Sequence, residues 1–339
     1  MNDIDLKSNI LEVDTALMIK EYKEGKQVAS SARSSDMDNR FRWMKTFLNC
    51  FTGNPNTGKS TFLLFLMTLK STIDGWKWGI FSPEMISSRK IENKIMINAG
   101  DIIDEIVWMK TGKNPFKHVY DRYGYPQIGL DEYMEALEWV TDHFIITHPK
   151  DTSYNSVMDN MKYIAETFGT DGLLIDPWKN VRVQFDGGMG TMDNVLHGVF
   201  AEVKEMAIMT NQVVNIIAHP KSLQNVRNAD KSFKVVSAQD LAGGAAWFNS
   251  MDGIYSIHRP NEHEDPNDPE VIFYNLKQRK QDMVARRGKV QGIEFDFKTH
   301  RYYFKAICPI DGKNKHGQIA TKEQVEIEFQ EVDRNELPF

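Results

Sequence analysis

Two cysteines in 339 residues, Cys50 and Cys308, without C-x-x-C spacing, supply neither a disulfide framework nor a zinc site. Both are expected to be buried thiols. No apolar run approaches the ~18 residues of a membrane span. The opening Met-Asn-Asp-Ile-Asp-Leu-Lys lacks the basic and apolar regions of a signal peptide. The expectation is a cytoplasmic protein that does not engage a membrane. Internal repeats are absent, and so is an excess of positive charge. A formal net charge of −6 argues against a uniformly basic nucleic-acid binder, although local patches matter more than the sum. What remains, 41% hydrophobic and 26% charged, is the composition of a globular protein with one large domain or two ordinary ones.

Against that background one stretch stands out. Gly53-Asn54-Pro55-Asn56-Thr57-Gly58-Lys59-Ser60 fits G-x-x-x-x-G-K-[ST], the phosphate-binding loop. Its flanks agree: Thr46 to Phe51 reads as a short buried strand, and Thr61-Phe-Leu-Leu-Phe-Leu-Met67 as the apolar start of a helix. The two glycines permit backbone conformations that turn successive N–H groups inward around phosphate oxygens at a helix N-terminus. Lys59 is expected on the β- and γ-phosphates and the Ser60 hydroxyl on Mg2+. The expected ligands are therefore ATP, or another nucleoside triphosphate, and Mg2+.

Residues 1–35 read as an N-terminal arm and linker, with a helix over Val13 to Tyr22 and a Ser/Arg/Asp-rich stretch over Ala29 to Asp38. Further short apolar runs predict strands at Lys77–Phe81, His143–Thr147, Gly172–Asp176 and Gln212–Ala218. Helical spacing marks Asp131–Val140, Val157–Phe168 and Val195–Met206. Strands alternating with helices imply an α/β fold with a mostly parallel sheet. The runs Asp252–Ile257, Val271–Leu276, Ile293–Phe297 and Tyr302–Phe304 then predict a C-terminal antiparallel extension. The final residues carry six acids against Lys322 and Arg334, and are expected to form a solvated acidic tail.

Hydrolysis needs a carboxylate at the C-terminal end of a neighbouring strand. Gly172-Leu-Leu-Ile-Asp176 ends an apolar run in an acid fitted to hold the Mg2+ shell. Phe81-Ser-Pro-Glu84 ends another in an acid that could orient and deprotonate water. Taken alone, either could be a helix cap or a loop residue. From His219 to Val236, Lys221, Arg227, Lys231 and Lys234 face only Asp230, a basic patch that reads as a solvated loop or a phosphate-tracking one.

Together, Walker A, Phe81-Ser-Pro-Glu-Met85, Leu174-Ile-Asp-Pro-Trp178, Ile217-Ala-His-Pro-Lys221 and Leu276-Lys-Gln-Arg279 resemble the RecA-type motor domain of DnaB-like and Twinkle-like hexameric replicative helicases, phage versions in particular. The resemblance covers about residues 36–305 and leaves 306–339 as a tail. It implies a RecA-like P-loop NTPase core, Glu84 as catalytic base, Asp176 as the Mg2+-linked acid and His219 as a sensor of the γ-phosphate. It implies that Lys277 and Arg279 form a K-x-R pair serving a nucleotide site, with Arg279 as the finger. The family usually continues with a Phe-Thr-Gly turn, whereas this chain runs Lys280-Gln-Asp-Met-Val-Ala-Arg286-Arg287, so the finger is Arg279 or Arg286. It also places Lys221, Arg227, Lys231 and Lys234 on a central-channel loop for single-stranded DNA.

The expected function is an ATP-driven ring, six subunits being the expected number, that translocates on single-stranded DNA and unwinds forked duplex in a bacterial or phage-infected cell. A replisome partner docks on the acidic tail. The alternatives are a RecA-type recombinase or mediator and a nucleotide-switched loader that binds single strands. Trp178 and Trp247 are expected to pack rather than stack on bases.

Overall fold

The computed structural model describes residues 14–24, 29–91, 94–116, 124–184, 191–221, 228 and 232–319. In chain order these form α1 (Thr15–Glu24), β1 (Leu48–Thr52), α2 (Lys59–Asp74), β2 (Trp78–Phe81), β3 (Ser87–Ile91), β4 (Lys94–Asn98), α3 (Gly100–Thr111), α4 (Leu130–His143) and β5 (Phe144–Thr147). There follow α5 (Tyr154–Phe168), β6 (Gly172–Ile175), α6 (Met192–Met209), β7 (Val213–Ile217), α7 (Gly244–Ser250) and β8 (Gly253–His258). The chain continues through β9 (Glu270–Gln278), β10 (Gly288–Asp296), β11 (Arg301–Phe304), β12 (Ile307–Cys308) and β13 (Lys313–Asn314). No helix among the described residues is long and apolar enough to cross a membrane.

One eleven-stranded sheet dominates, in the order β13-β12-β11-β10-β9-β8-β1-β7-β6-β2-β5. The strands from β8 to β5 are mutually parallel and those from β9 to β13 antiparallel, as expected of an α/β fold with a C-terminal antiparallel extension. The central strands are buried along their whole length because helices cover both faces. Strand alternation divides the side chains between two cores. Leu173, Ile175, Val214 and Ile216 pack with Met161 of α5 and Phe200 of α6, whereas Leu174, Val213 and Ile217 pack with Leu63 and Leu66 of α2 and Ile106 of α3. Cys50 and Cys308 are free buried thiols, and Trp178 and Trp247 pack against one another edge to face at 6.0 Å.

Three readings are corrected. Asp252–Ile257, read as the start of the antiparallel extension, forms β8, which pairs in parallel with β1 before β9 turns back on it. The short helix α7 makes the crossover that a parallel neighbour requires. The polar stretch read as a linker is core from Ala29 onward: Ala29, Ala32, Met37, Phe41 and Trp43 are all buried, and Phe41 stacks edge-on against Tyr255 at 5.0 Å. Its Ser/Asp content is turn chemistry, with Asp38 accepting hydrogen bonds from the Ser31 hydroxyl and the Ala32 N–H, both at 2.6 Å. Finally, the stretch between Glu84 and Asp131, given no element from sequence, contains β3, β4 and α3. The expected N-terminal helix is α1, which has no buried residue and leaves Leu17, Ile19 and Tyr22 exposed.

Candidate functional site

The sheet order sets the site. β1, β7, β6 and β2 are consecutive neighbours, all parallel, so their C-terminal ends open on one edge. The P-loop and Lys59 follow β1, His219 follows β7, Asp176 follows β6 and Glu84 follows β2. Backbone bonds continue the pairing past the strand ends. Ala218 N–H donates to Phe51 O at 2.9 Å, the Thr52 hydroxyl donates to Ala218 O at 2.9 Å, and Asp176 N–H donates to Phe81 O at 2.9 Å. Four residues singled out from distant parts of the sequence are thereby gathered at one place.

The P-loop has the expected shape. Gly53 sits at φ 152°, where a Cβ would meet Ile257 O at 2.3 Å, so no other residue fits. Gly58, at φ 78°, is the N-cap of α2 and turns the chain into the helix, whose first N–H groups lack intrahelical acceptors. Pro55 and Asn56 form the exposed crest. Buried Asn54 fastens the loop: its carbonyl accepts from Lys59 Nζ at 2.6 Å and from the Thr57 hydroxyl at 2.9 Å, and its amide donates to Lys234 O at 3.1 Å. Lys59 thus folds back on its own loop. Ser60 and Thr61, the next residues of α2, are half-buried.

Burial weakens the charges here. Lys59 is pushed down to about 8 by desolvation, which the nearby Asp176 partly offsets. Asp176 is pushed up to about 6, chiefly by burial, while a hydrogen bond with Ser60 acts the other way and Glu84 adds like-charge repulsion. The Ser60 hydroxyl and the Asp176 carboxylate are thus adjacent, the two groups expected on Mg2+. His219 is pushed down to about 4 by burial and by the cations Lys59 and Lys179, so it is neutral at neutral pH. We expect the His219 ring in the nucleotide-free protein to titrate near pH 4 by NMR, against ~6.5 for a solvated imidazole. Between those values the unfolded chain binds the proton that the fold refuses. The stability His219 contributes is therefore lost as pH falls from about 6.5 towards 4.

Glu84 carries an ion pair that sequence reading missed. Lys179 Nζ lies 2.8 Å from its Oε1, with both side chains about half exposed. Only its place three residues after Asp176 could have signalled Lys179. A cavity of about 340 Å³ also escaped notice; it opens beside the P-loop between Gly58, Trp108, Arg259, Phe297, His300 and Tyr302. Trp108 and His300 are stacked at 4.7 Å, and the Arg259 guanidinium is fixed by the Pro266 and Asp268 carbonyls at 2.8 and 2.6 Å.

Two expected site residues lie elsewhere. Gln278 pairs with Gly253 at the start of β8, so Lys277 and Arg279 stand at the end of the sheet opposite the chain's own P-loop. Lys277 Nζ donates to Phe248 O, and to Met251 O at 2.7 Å, at the C-terminus of α7. Arg279 is held by buried Asp252 at 3.2 Å and by Asn249 O, while Arg286 is exposed in the connection between β9 and β10. Of the basic patch, Lys221 and Lys234 are exposed, the Lys234 carbonyl accepting from Asn54 of the P-loop, and Arg227 and Lys231 lie outside the described residues. The expected tail is corrected at its start: residues 306–319 carry β12 and β13 of the main sheet, with Ile307 and Cys308 buried, and only the acidic residues beyond 319 lie outside the described residues.

No protein-family model matches the chain. It is 22% identical over 288 residues to the Twinkle homolog protein, chloroplastic/mitochondrial, of Arabidopsis thaliana, a match covering 84% of this chain. The chain spans 38% of the length of that relative. Its fold matches a solved ATPase domain with a TM-score of 0.66 at 15% identity, covering 87% of this chain and 99% of that one. It also matches a DnaB-like replicative helicase solved in a study of its interactions with primase, with a TM-score of 0.63 at 16% identity, covering 86% of this chain and 68% of that one.

Proposed function

We propose, for a chain that is Twinkle-like in sequence and matches DnaB-like ATPase domains in fold, that it is an ATP-dependent replicative DNA helicase that works as a ring on single-stranded DNA. The observation that carries the reading is the gathering of Lys59, His219, Asp176 and Glu84 on one edge of four neighbouring strands. Each supplies a different part of phosphoryl transfer.

The donor set fits Mg2+, which takes one or two carboxylates plus phosphate and water oxygens rather than an all-protein cage. Ser60 and Asp176 would hold it, and no larger metal-ligating cluster exists among the described residues. When bound, Mg2+ neutralises charge on the phosphate oxygens. The P-loop N–H groups and Lys59 bind and orient the β- and γ-phosphates. Glu84 takes the proton of a water whose oxygen bonds to the γ-phosphorus as the bridging oxygen leaves with the β-phosphate. Neutral His219 offers a hydrogen bond to the γ-phosphate without competing as a cation. The aromatic cavity beside Gly58 suits the nucleobase.

Arg279, turned away from its own P-loop, suits the role of a finger in the neighbouring subunit's site, which makes turnover depend on the ring. Six subunits are the expected number. Lys221, Arg227, Lys231 and Lys234 form the basic segment that tracks single-strand phosphates. The Asn54–Lys234 bond connects that segment directly to the P-loop. We assign residues 29–319 to the motor, because Ala29 and Ala32 are buried in its core and β12 and β13 complete its sheet, and the acidic residues after 319 to a tail that docks a partner.

A RecA-type recombinase or mediator, or a single-strand-binding loader, would share the core and the acids. Separation of a forked DNA by the purified protein with ATP and Mg2+ is the deciding measurement. Strand release is expected from the native chain and none from Lys59→Ala. Hydrolysis stimulated by single strands without release would favour the recombinase or loader.

A further inference from the structure

Lys179 stands on a single turn, Trp178–Asn180, immediately after Asp176. The turn is rigid: Trp178 is buried among Phe200 and Trp247, and Val181 N–H closes it on Trp178 O at 2.9 Å. The backbone of Lys179 is therefore fixed while its side chain reaches across the mouth of the site. Its ammonium contacts Glu84 at 2.8 Å and is close enough to both Lys59 and His219 to depress their basicity. Glu84, Lys59 and His219 bound the space a γ-phosphate must enter. Lys179 is thus a fourth wall of that space, holding the carboxylate that would activate water.

We propose that Lys179 is a positioning residue that ties up Glu84 until the γ-phosphate draws it away. The inference rests on the assignment of Glu84 as base. An ion pair with both partners half exposed is weakly held, because water already solvates each charge. A triphosphate brings several negative charges and strong acceptor oxygens to the same ammonium, so the lysine moves to the γ-phosphate. Glu84 is then left without its cation and is available to a water. With ADP no such exchange occurs, and Glu84 stays paired. The pair therefore licenses attack only when the phosphate to be transferred is present, and makes Lys179 a discriminator between triphosphate and diphosphate.

Equilibrium titration with ADP and with an imido-bridged ATP analogue, each with Mg2+, tests this. Lys179→Ala is expected to weaken binding of the analogue roughly tenfold while ADP binding stays within about twofold, and Lys179→Arg to restore the preference. Glu84→Gln, which removes the competitor for the ammonium, is expected to tighten analogue binding about threefold in the native background and not at all in Lys179→Ala. Equal losses for the two nucleotides, or no loss, would overturn the proposal. Retained ADP binding reports that the variant is folded. Should Lys179→Ala not fold, the Glu84→Gln titration still decides, since unchanged analogue affinity there removes the competition on which the idea depends. Hydrolysis by Glu84→Gln is read separately: normal turnover would sink the assignment of the base, whatever the titrations show.

Discussion

Arg279→Ala is expected to cut ATP turnover by about a thousandfold, the scale of a missing arginine finger, while nucleotide binding at the variant's own P-loop stays within about twofold. The separation of these effects follows from the geometry. Arg279 lies beside the first residues of β8, and the P-loop abuts its last residues, so the guanidinium cannot serve the loop of its own chain. The fold should survive the substitution. Asp252, which loses Arg279, keeps the Lys204 ammonium at 2.6 Å and the Leu48 N–H at 2.8 Å. The decisive form of the experiment is mixing. Arg279→Ala chains offer intact P-loops, and Lys59→Ala chains offer intact fingers. Each is inactive alone, and random co-assembly creates complete sites at about one interface in four. Recovery of turnover to that level would establish a finger acting between chains. Continued inactivity, or recovery with Arg286→Ala in place of Arg279→Ala, would transfer the role or abolish it.

Asp176→Asn should separate stability from chemistry in opposite directions. Burial pushes the Asp176 carboxyl up to about 6 in the folded chain, against ~3.9 when unfolded. At pH 7.5, above both values, the unfolded state holds the charge more comfortably, so the carboxylate costs the nucleotide-free fold about 2–3 kcal/mol. That cost shrinks as pH falls through about 6 and is gone below ~3.9. An asparagine there carries no charge and still accepts the Ser60 hydroxyl. The variant without nucleotide should therefore melt several degrees higher than the native protein at pH 7.5, and the gain should fade in scans at pH 5. Hydrolysis should fall by two orders of magnitude or more, because the Mg2+ shell loses its carboxylate. Adding ATP and Mg2+ should raise the native melting temperature more than that of the variant. A gain over the native protein no larger at pH 7.5 than at pH 5 would mean that Asp176 is not strained by burial.

Much of this arrangement is legible in the residues because it is local. The P-loop declares itself through spacing that backbone geometry demands, and the strands ending in Asp176 and His219 through apolar runs that a doubly covered sheet requires. Other features depend on partners remote in sequence. The Ser/Asp content over Ala29–Asp38 looks like a linker until Asp38 is seen to satisfy Ser31 and Ala32 while Phe41 and Trp43 enter the core. β8 looks like the first arm of a hairpin because its own pattern cannot reveal that β1 lies on its other side. Helix α3 was legible and missed, since Ile102, Ile106 and Met109 are buried at helical spacing. Lys179 was not: beyond its place three residues after Asp176, nothing in Trp-Lys-Asn marks a lysine whose partner, Glu84, lies in the turn after β2. The wall formed by Trp108, Arg259 and Tyr302 was equally hidden, because it combines an inserted helix with the antiparallel strands.

The placement of β8 has one further consequence. At one end its Ile257 carbonyl presses on Gly53 of the phosphate loop, and at the other Asp252 grips Arg279. A rod of about 15 Å therefore joins the phosphate loop to Arg279, which the proposed function makes the point of contact with the next chain. Such a link has a direction. In the proposed ring, a subunit whose loop shifted on filling or emptying would pass that shift forward through its arginine, whereas its own rate would answer to the neighbour behind. Around the closed circle that the proposed function requires, this would favour firing in succession over firing in unison, and would give the circle a handedness written into a single strand.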